Sequence, residues 1–371
     1  MPHFFGSDRS RSSKFKPTKF SGKDSNLKYI TYETLIDFHR EILTKAGLDS
    51  ETNEAVTTGL CETSLRGVDS HGIRLLPHYT RSALSGRKNP KPNYSYTQKF
   101  PAFGALDADN TFGHAAGFKA IGYAMGMAKE FGIGAVAVSN SSHPGAMASF
   151  VLKAARDGYV AFAFTNADAL LRSHGGQRAY FGTNPICFAA PRIEEEPFCL
   201  DMAPTIFSWN KLLTYREKGE KLPGEYAADE QGIPTLDPDL ACSILPIGTY
   251  KGYGLAAMGE VLCGVLTGML FGRSIPAMFT TPMDQPRHLG QFYLVMRADI
   301  CQPLTVFEER LQQMTDEVRL EPNLDGERVL LANDPQIEEA QRRKVEGIPV
   351  VDNLLEELRT LASDLSVNVT L

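Results

Sequence analysis

Two periodicities alternate along this chain. Over 31–47 the apolar residues fall at Leu35, Ile36, Phe38, Ile42 and Leu43, the spacing of a helix with one buried stripe. Thr31 carries the hydroxyl to cap its start, and Gly47 stops it. Asp49 and Ser50 open a second helix, with Val56, Leu60 and Leu65 inward and Gly67 as its stop. A polar turn over 68–79, bearing His71, then joins two helical stretches. A short strand follows at 105–108, and a helix rich in Ala and Gly at 113–130. Strands are expected at 133–138, 159–164, 186–190, 198–201 and 292–296, with a helix over 146–156 between the first two. The 255–266 segment is apolar on all sides, which predicts a central, buried helix. Amphipathic helices over 306–318, 335–345 and 353–361 complete the chain. Segment 192–197 reads as a solvated acidic turn, and 211–237 as an excursion broken by Pro-Gly and Asp-Pro pairs. Helices alternating with strands make this an α/β protein.

Organisation follows from where the pattern fails. Residues 1–28 are rich in Ser, Lys, Arg and Gly, too poor in apolar surface to offset their ordering entropy, and read as a flexible extension. One fold is expected over 29–371, with helices at about 29–100 and 300–371 flanking a strand-rich region at about 105–300.

Composition then narrows the classes. The formal charge of -6 leaves no basic excess to neutralise phosphates, so a nucleic-acid partner is not expected. The six cysteines lack C-x-x-C or metal-finger spacing, and several lie in apolar runs, as free buried thiols do. The longest apolar run, 255–271, is interrupted by Glu260 and is shorter than the ~20 residues that span a bilayer. There is no signal-peptide pattern at the start, so a cytoplasmic protein is expected.

The candidate chemistry lies at the breaks between elements. His143 follows a strand end in His143-Pro144-Gly145, where ligands collect in α/β folds. His71 sits beside a hydroxyl and a glycine in Ser70-His71-Gly72, and either imidazole suits proton transfer near neutral pH. Asp201 ends a strand in Asp201-Met202-Ala203, as an acceptor for a ribose or amide, or as a helix cap. Lys251 stands among glycines and can reach a phosphate or carboxylate. No G-x-G-x-x-G or Walker sequence, G-x-S-x-G elbow or metal-ligand spacing is present. From the residues alone this is an α/β enzyme with two acid–base histidines.

Six ordered motifs go further. Ser70-His71-Gly72, Asn140-x-x-His143-x-Gly145, Thr165-Asn166, Gly175-Gly176, Gly182-Thr183-Asn184-Pro185 and Leu200-Asp201-Met202-Ala203, continued by Lys251-Gly252-Tyr253-Gly254, resemble the type-2 malate/L-lactate dehydrogenase family. Segments 256–273, 289–291 and 342–352 are similar to its ureidoglycolate dehydrogenase branch. The resemblance implies a non-Rossmann fold on a mixed β-sheet, NAD or NADP as cofactor, and a homodimer with a composite active site. It implies small 2-hydroxy or 2-oxo acids (malate, lactate or ureidoglycolate-like) as substrates, and cyclic imino acids in one branch. By the same resemblance His143 and His71 are catalytic. Ser70, Tyr79, Thr183 and Asn184 lie near substrate, and Thr165, Asn166, Ala167, Gly182, Asp201, Met202, Ala203 and Lys251 near the cofactor. The chain departs from the family pattern at Leu75, where an arginine is usual, with Arg74 one residue earlier. It departs again at Pro204 and at Asn210.

The expected reaction is hydride transfer between nicotinamide and C2 of a small carboxylic acid, with His143 as the base, His71 assisting and Arg74 gripping the carboxylate. Reduction of a cyclic imine or 2-oxo acid is the alternative within the family. A non-catalytic nicotinamide-binding protein is the alternative outside it, kept open by the shifted arginine.

Overall fold

The computed structural model of the chain describes residues 27–324, 326–368 and 371. Most of the proposed flexible extension lies outside these residues. Its last two positions do not, because the first strand, β1 (Leu27–Ile30), already includes Leu27 and Lys28. Helices α1 (Tyr32–Lys45) and α2 (Ser50–Leu65) form where the apolar spacing puts them. The Thr31 hydroxyl accepts the Thr34 amide, and the Asp49 carboxylate accepts that of Thr52 at 2.7 Å. Two short 3₁₀ turns, 69–71 and 73–75, lead into α3 (Leu76–Leu84). Next come β2 (Ser95–Phe100), which the alternation of hydrophobicity does not reveal, β3 (Phe103–Asp107), α4 (Gly113–Phe131), β4 (Ile133–Ser141), α5 (Ala148–Arg156) and β5 (Tyr159–Thr165).

Short strands β6 (Leu171–Arg172) and β7 (Ala179–Phe181) precede β8 (Ile186–Ala190) and β9 (Phe198–Met202). The excursion after β9 is not all loop: Ser208 caps α6 (Trp209–Lys218), and β10 (Ala227–Ala228), β11 (Pro234–Thr235) and β12 (Ser243–Ile244) join β6 and β7 in a small sheet. Helix α7 (Tyr250–Glu260) continues as a π-helical turn over 261–265. The chain ends with β13 (Leu289–Arg297), α8 (Leu304–Arg319), α9 (Asp334–Glu346), β14 (Ile348–Val351) and α10 (Asp352–Asp364).

The main sheet has seven strands in the order β2-β3-β4-β13-β5-β8-β9, with only β3 and β4 parallel. This mixed sheet is no doubly wound Rossmann arrangement. Its centre, β13, is supplied by a segment far along the chain from both neighbours, and pairs antiparallel with β4 and β5. Helices α4 and α5 cover one face through Ala116, Ala120, Ala124, Phe150 and Val151. A second core joins α1, α2 and α3 to β14 and α10, and the β1–β14 pair closes it.

Two expectations are corrected. The 192–197 turn is not merely solvated: Arg192 is buried, Glu195 pairs with Arg319 at 2.9 Å, and Glu196 pairs with Arg156 at 2.9 Å, tying the turn to α8 and α5. The 255–266 helix is not buried all round. Leu255, Met258, Val261, Val265 and Leu266 form an exposed stripe, with Val265 59% exposed. Apolar composition on every side does not fix which side packs, and among the described residues only one face of this helix is covered. Four of the six cysteines are buried and all are free. Among the described residues no helix is long and apolar enough to cross a membrane, and no group of His, Cys, Asp or Glu is disposed to hold a metal.

Candidate active site

The turn carrying His71 is pinned from below. Arg343 of α9 binds the Asp69 carboxylate through both terminal nitrogens, at 2.7 and 2.8 Å, and also donates to the Ser64 carbonyl at 2.6 Å. Gly72 rests on α2: a Cβ there would meet the Ser64 Oγ at 2.0 Å. The glycine of Ser70-His71-Gly72 therefore serves packing rather than the approach of a substrate. Asn210, from α6, reaches the Ser70 carbonyl at 3.3 Å, which gives this departure from the family pattern a structural use. Above the turn, the Ser70 hydroxyl lies 2.8 Å from His71 Nδ1.

His143 arrives from the other side, after β4. Gly145 takes φ +70°, and a Cβ there would lie 2.5 Å from His114 Nε2, so only glycine fits this turn. The loop stacks the His143 ring on that of His71, with centroids 5.6 Å apart and planes 29° apart. Tyr79, buried on α3, completes the group. Its Oη is 2.8 Å from His143 Nδ1 and 3.2 Å from the His143 carbonyl oxygen. One hydroxyl hydrogen satisfies both contacts if it goes to the carbonyl while Nδ1–H donates to the phenol oxygen. That tautomer leaves Nε2 with a lone pair. The Gly145 amide, 3.4 Å from the same Nδ1, is too distant to reverse the preference.

Basic side chains and other imidazoles lie nearest this pair. Burial, then the neighbouring His71, Arg287, Lys88 and His114, hold the His143 pKa well below the usual imidazole range. Burial and the Arg74 guanidinium lower that of His71 to about 4. Both imidazoles are thus neutral near pH 7, the state a proton acceptor needs. Arg74 is exposed and makes no ion pair among the described residues, while Leu75, at the family's usual arginine position, turns into the core. Sequence reasoning missed Arg287, Lys88 and His114. Arg287 is buried and paired with Asp168, Lys88 lies over the Tyr79 ring, and the His114 ring is 5.6 Å from that of Tyr79. None carries a motif, and only the fold gathers them.

The other predicted residues lie across the end of the sheet, and several are fully engaged with one another. The Asn184 side chain is 0% exposed. Its oxygen accepts the Ala167 amide at 3.1 Å, and its nitrogen donates to the Ala256 carbonyl at 2.9 Å and to Glu260. Asn166 links the Leu270 carbonyl to the Gly290 amide, and Thr165 donates to the Gly290 carbonyl. Gly182 packs on the Ala167 carbonyl, which a Cβ would meet at 2.3 Å. Burial raises the pKa of Glu260, opposed by the Gly272 amide and Asn184. Thr183, Met202 and Ala203 remain partly open beside this network. Asp201 accepts the Ala148 amide at 2.9 Å, capping α5 rather than the segment after it. Lys251 is exposed on the first turn of α7, at the positive end of the helix dipole. A cation at a helix start, partly open strand ends and a strand-end carboxylate fit the phosphates and hydroxyls of a dinucleotide.

The chain is similar to known proteins along most of its length. Residues 30–359 match the profile of the malate/L-lactate dehydrogenase family. The chain is 32% identical over 330 residues to ureidoglycolate dehydrogenase (NAD(+)) of Escherichia coli, covering 89% of this chain and 94% of that one. It is 32% identical over 355 residues to malate dehydrogenase of Pyrococcus abyssi, covering 93% and 97%. Malate dehydrogenase from Entamoeba histolytica superposes with a TM-score of 0.87 at 26% identity, over 92% of this chain and 99% of that one.

Proposed function

Since the chain belongs to the malate/L-lactate dehydrogenase family, and is thereby an NAD(P)-dependent oxidoreductase of small 2-hydroxy and 2-oxo acids, we propose that His143 is the group that exchanges the proton at the substrate C2 oxygen. The observation that carries this reading is the Tyr79–His143 pair, with Nδ1 engaged at 2.8 Å and Nε2 left as a neutral acceptor. In oxidation Nε2 takes the hydroxyl proton, and in reduction it returns it. His71, stacked on His143 and hydrogen-bonded to Ser70, orients the same oxygen. Arg74 anchors the carboxylate: its guanidinium is unpaired among the described residues, and its field falls on His71. Bound nicotinamide supplies or accepts the hydride. Lys251 holds its phosphates, and Asp201, Met202, Ala203 and the 165–167 and 182–184 turns line its cleft.

We assign the substrate to the acyclic 2-hydroxy acids of the malate, lactate and ureidoglycolate type, with a homodimer as the working form. The exposed stripe from Leu255 to Leu266 supports the dimer, since it continues from the helix turn that bears Lys251 and is too apolar to face water. The protein is to be incubated with NAD+ or NADP+ and a panel of 2-hydroxy acids, following absorbance of the reduced nicotinamide. Reduction of one cofactor by at least one acid is expected. Cofactor binding without turnover of any acid, oxo acid or imine in either direction would favour a non-catalytic role.

A further inference from the structure

Beside the Tyr79 ring lies a lysine that takes no part in the proton transfer at His143. Lys88 is buried, 2% exposed, and its Nζ has no hydrogen-bond partner among the described residues. Burial, then Arg287 and Arg87, push its pKa well below the usual lysine range, and only the two ring faces beside it oppose that. It sits 3.6 Å above the centre of the Tyr79 ring and 4.8 Å from that of Phe112. Its neighbour Arg87 fixes the loop in place by donating to the carbonyls of Met278, Thr281 and Pro282 at 2.7–2.8 Å. A buried ammonium between two aromatic faces is held by their quadrupoles, and it polarises whatever the rings carry. What the Tyr79 ring carries is the hydroxyl against His143 Nδ1.

We infer that Lys88 is a positioning residue for His143, acting through the Tyr79 ring to hold the phenol in register and keep the imidazole in its neutral, proton-accepting form. The inference rests on His143 being the acid–base group. Lys88 has two effects of the same sign. Its charge, where present, disfavours an imidazolium at the Tyr79 hydroxyl, and its contact with the ring holds the phenol oxygen where Nδ1–H can donate to it. His143 is also faced by His71, Arg287 and His114, and Lys88 by Arg287 and Arg87. Arg287 is partly neutralised by Asp168. Lys88 is the one buried cation of this group that has neither a carboxylate nor a carbonyl partner among the described residues.

The test is Lys88→Met, which keeps an unbranched apolar stem one atom shorter and removes the amine. In the full-length protein the acid limb of kcat/KM for oxidation should move up by about one pH unit, as a like charge a few ångströms beyond a ring demands. The basic limb of reduction should move up with it, because both report the same imidazole. Lys88→Arg should keep the wild-type profile even if its fit lowers the rate. A second readout needs no turnover: in protein with 15N-labelled histidine, with the His143 signal identified by its loss in His143→Gln, wild type should show the Nδ1–H tautomer. Lys88→Met should show a mixture and a higher titration midpoint. A folded Lys88→Met protein with unmoved limbs and an unmoved His143 signal overturns the inference. Absence of turnover with a moved signal overturns the dehydrogenase reading instead and leaves the role of Lys88 standing.

Discussion

The two sides of the proposed cleft hold the same kinds of residue and use them in opposite ways. On the Asn184 side, Asn166, Asn184, Thr165 and Glu260 spend their polar atoms on one another and on the backbone of α7 and β13. On the His143 side, among the described residues, His143 and His71 keep a ring nitrogen unengaged, Lys88 and His114 are buried without hydrogen-bond partners, and Arg74 is unpaired. The first side is stiff and chemically quiet, because each buried donor has an acceptor. The second is poised, because polar groups without partners among the described residues, and the exposed Arg74 guanidinium, are free to meet an acidic ligand. A motif shared by a family can thus mark scaffold as readily as chemistry, and the hydrogen-bond inventory separates the two.

The sharpest way to break this comparison is His143→Ala, which should cut turnover by ~10²-fold or more while nucleotide binding, measured by fluorescence, persists. Unchanged turnover would pass the role to His71. Asn184→Ala should act on stability instead. It strands the Ala167 amide and leaves Glu260 with one partner fewer, at a cost of roughly 3 kcal/mol, and the thermal midpoint should fall by several degrees. A variant as stable as wild type would put Asn184 on the open side after all. Arg74→Ala should raise KM for the acid by about tenfold or more with a smaller change in kcat, and Arg74→Lys should recover only part. An unaltered KM would transfer the carboxylate to Arg287.

The smallest effect is on stability against pH. His39 and His114 are fully buried, and burial lowers their pKa values to about 4 and about 3. The unfolded chain binds protons at these sites from about pH 6.5 downward while the folded one does not. Their contribution is therefore intact above pH 6.5 and is lost as pH falls towards 4 and 3. The thermal midpoint should decline over that window, less steeply in His114→Gln. A decline of equal slope in both proteins would show that His114 is not kept neutral.

Much of the scaffold was legible because its determinants are local. Thr31, Asp49 and Gly47 mark helix ends by their own side chains or lack of one, and the strand that leads to His143 and the strand that carries Asp201 stood out by their apolar runs. The order of the strands was not legible, since β13 pairs with two strands more than a hundred residues away. Lys88, Arg287 and His114 left no signal because a single cation or imidazole has no spacing to recognise. The 255–266 segment misled for a different reason: composition does not say which faces of an apolar segment its own chain will cover.

The position of β13 also sets the order in which this molecule can be made. As the chain leaves the ribosome, β4 and β5 emerge with a gap between them that only residues 289–297 fill. The helices that carry His71 and Tyr79 must wait longer still, for β14 and α10 to close their core. Synthesis therefore has to pass α10 before the two histidines are held together, and a ribosome that stops before residue 289 releases a chain whose sheet has no middle.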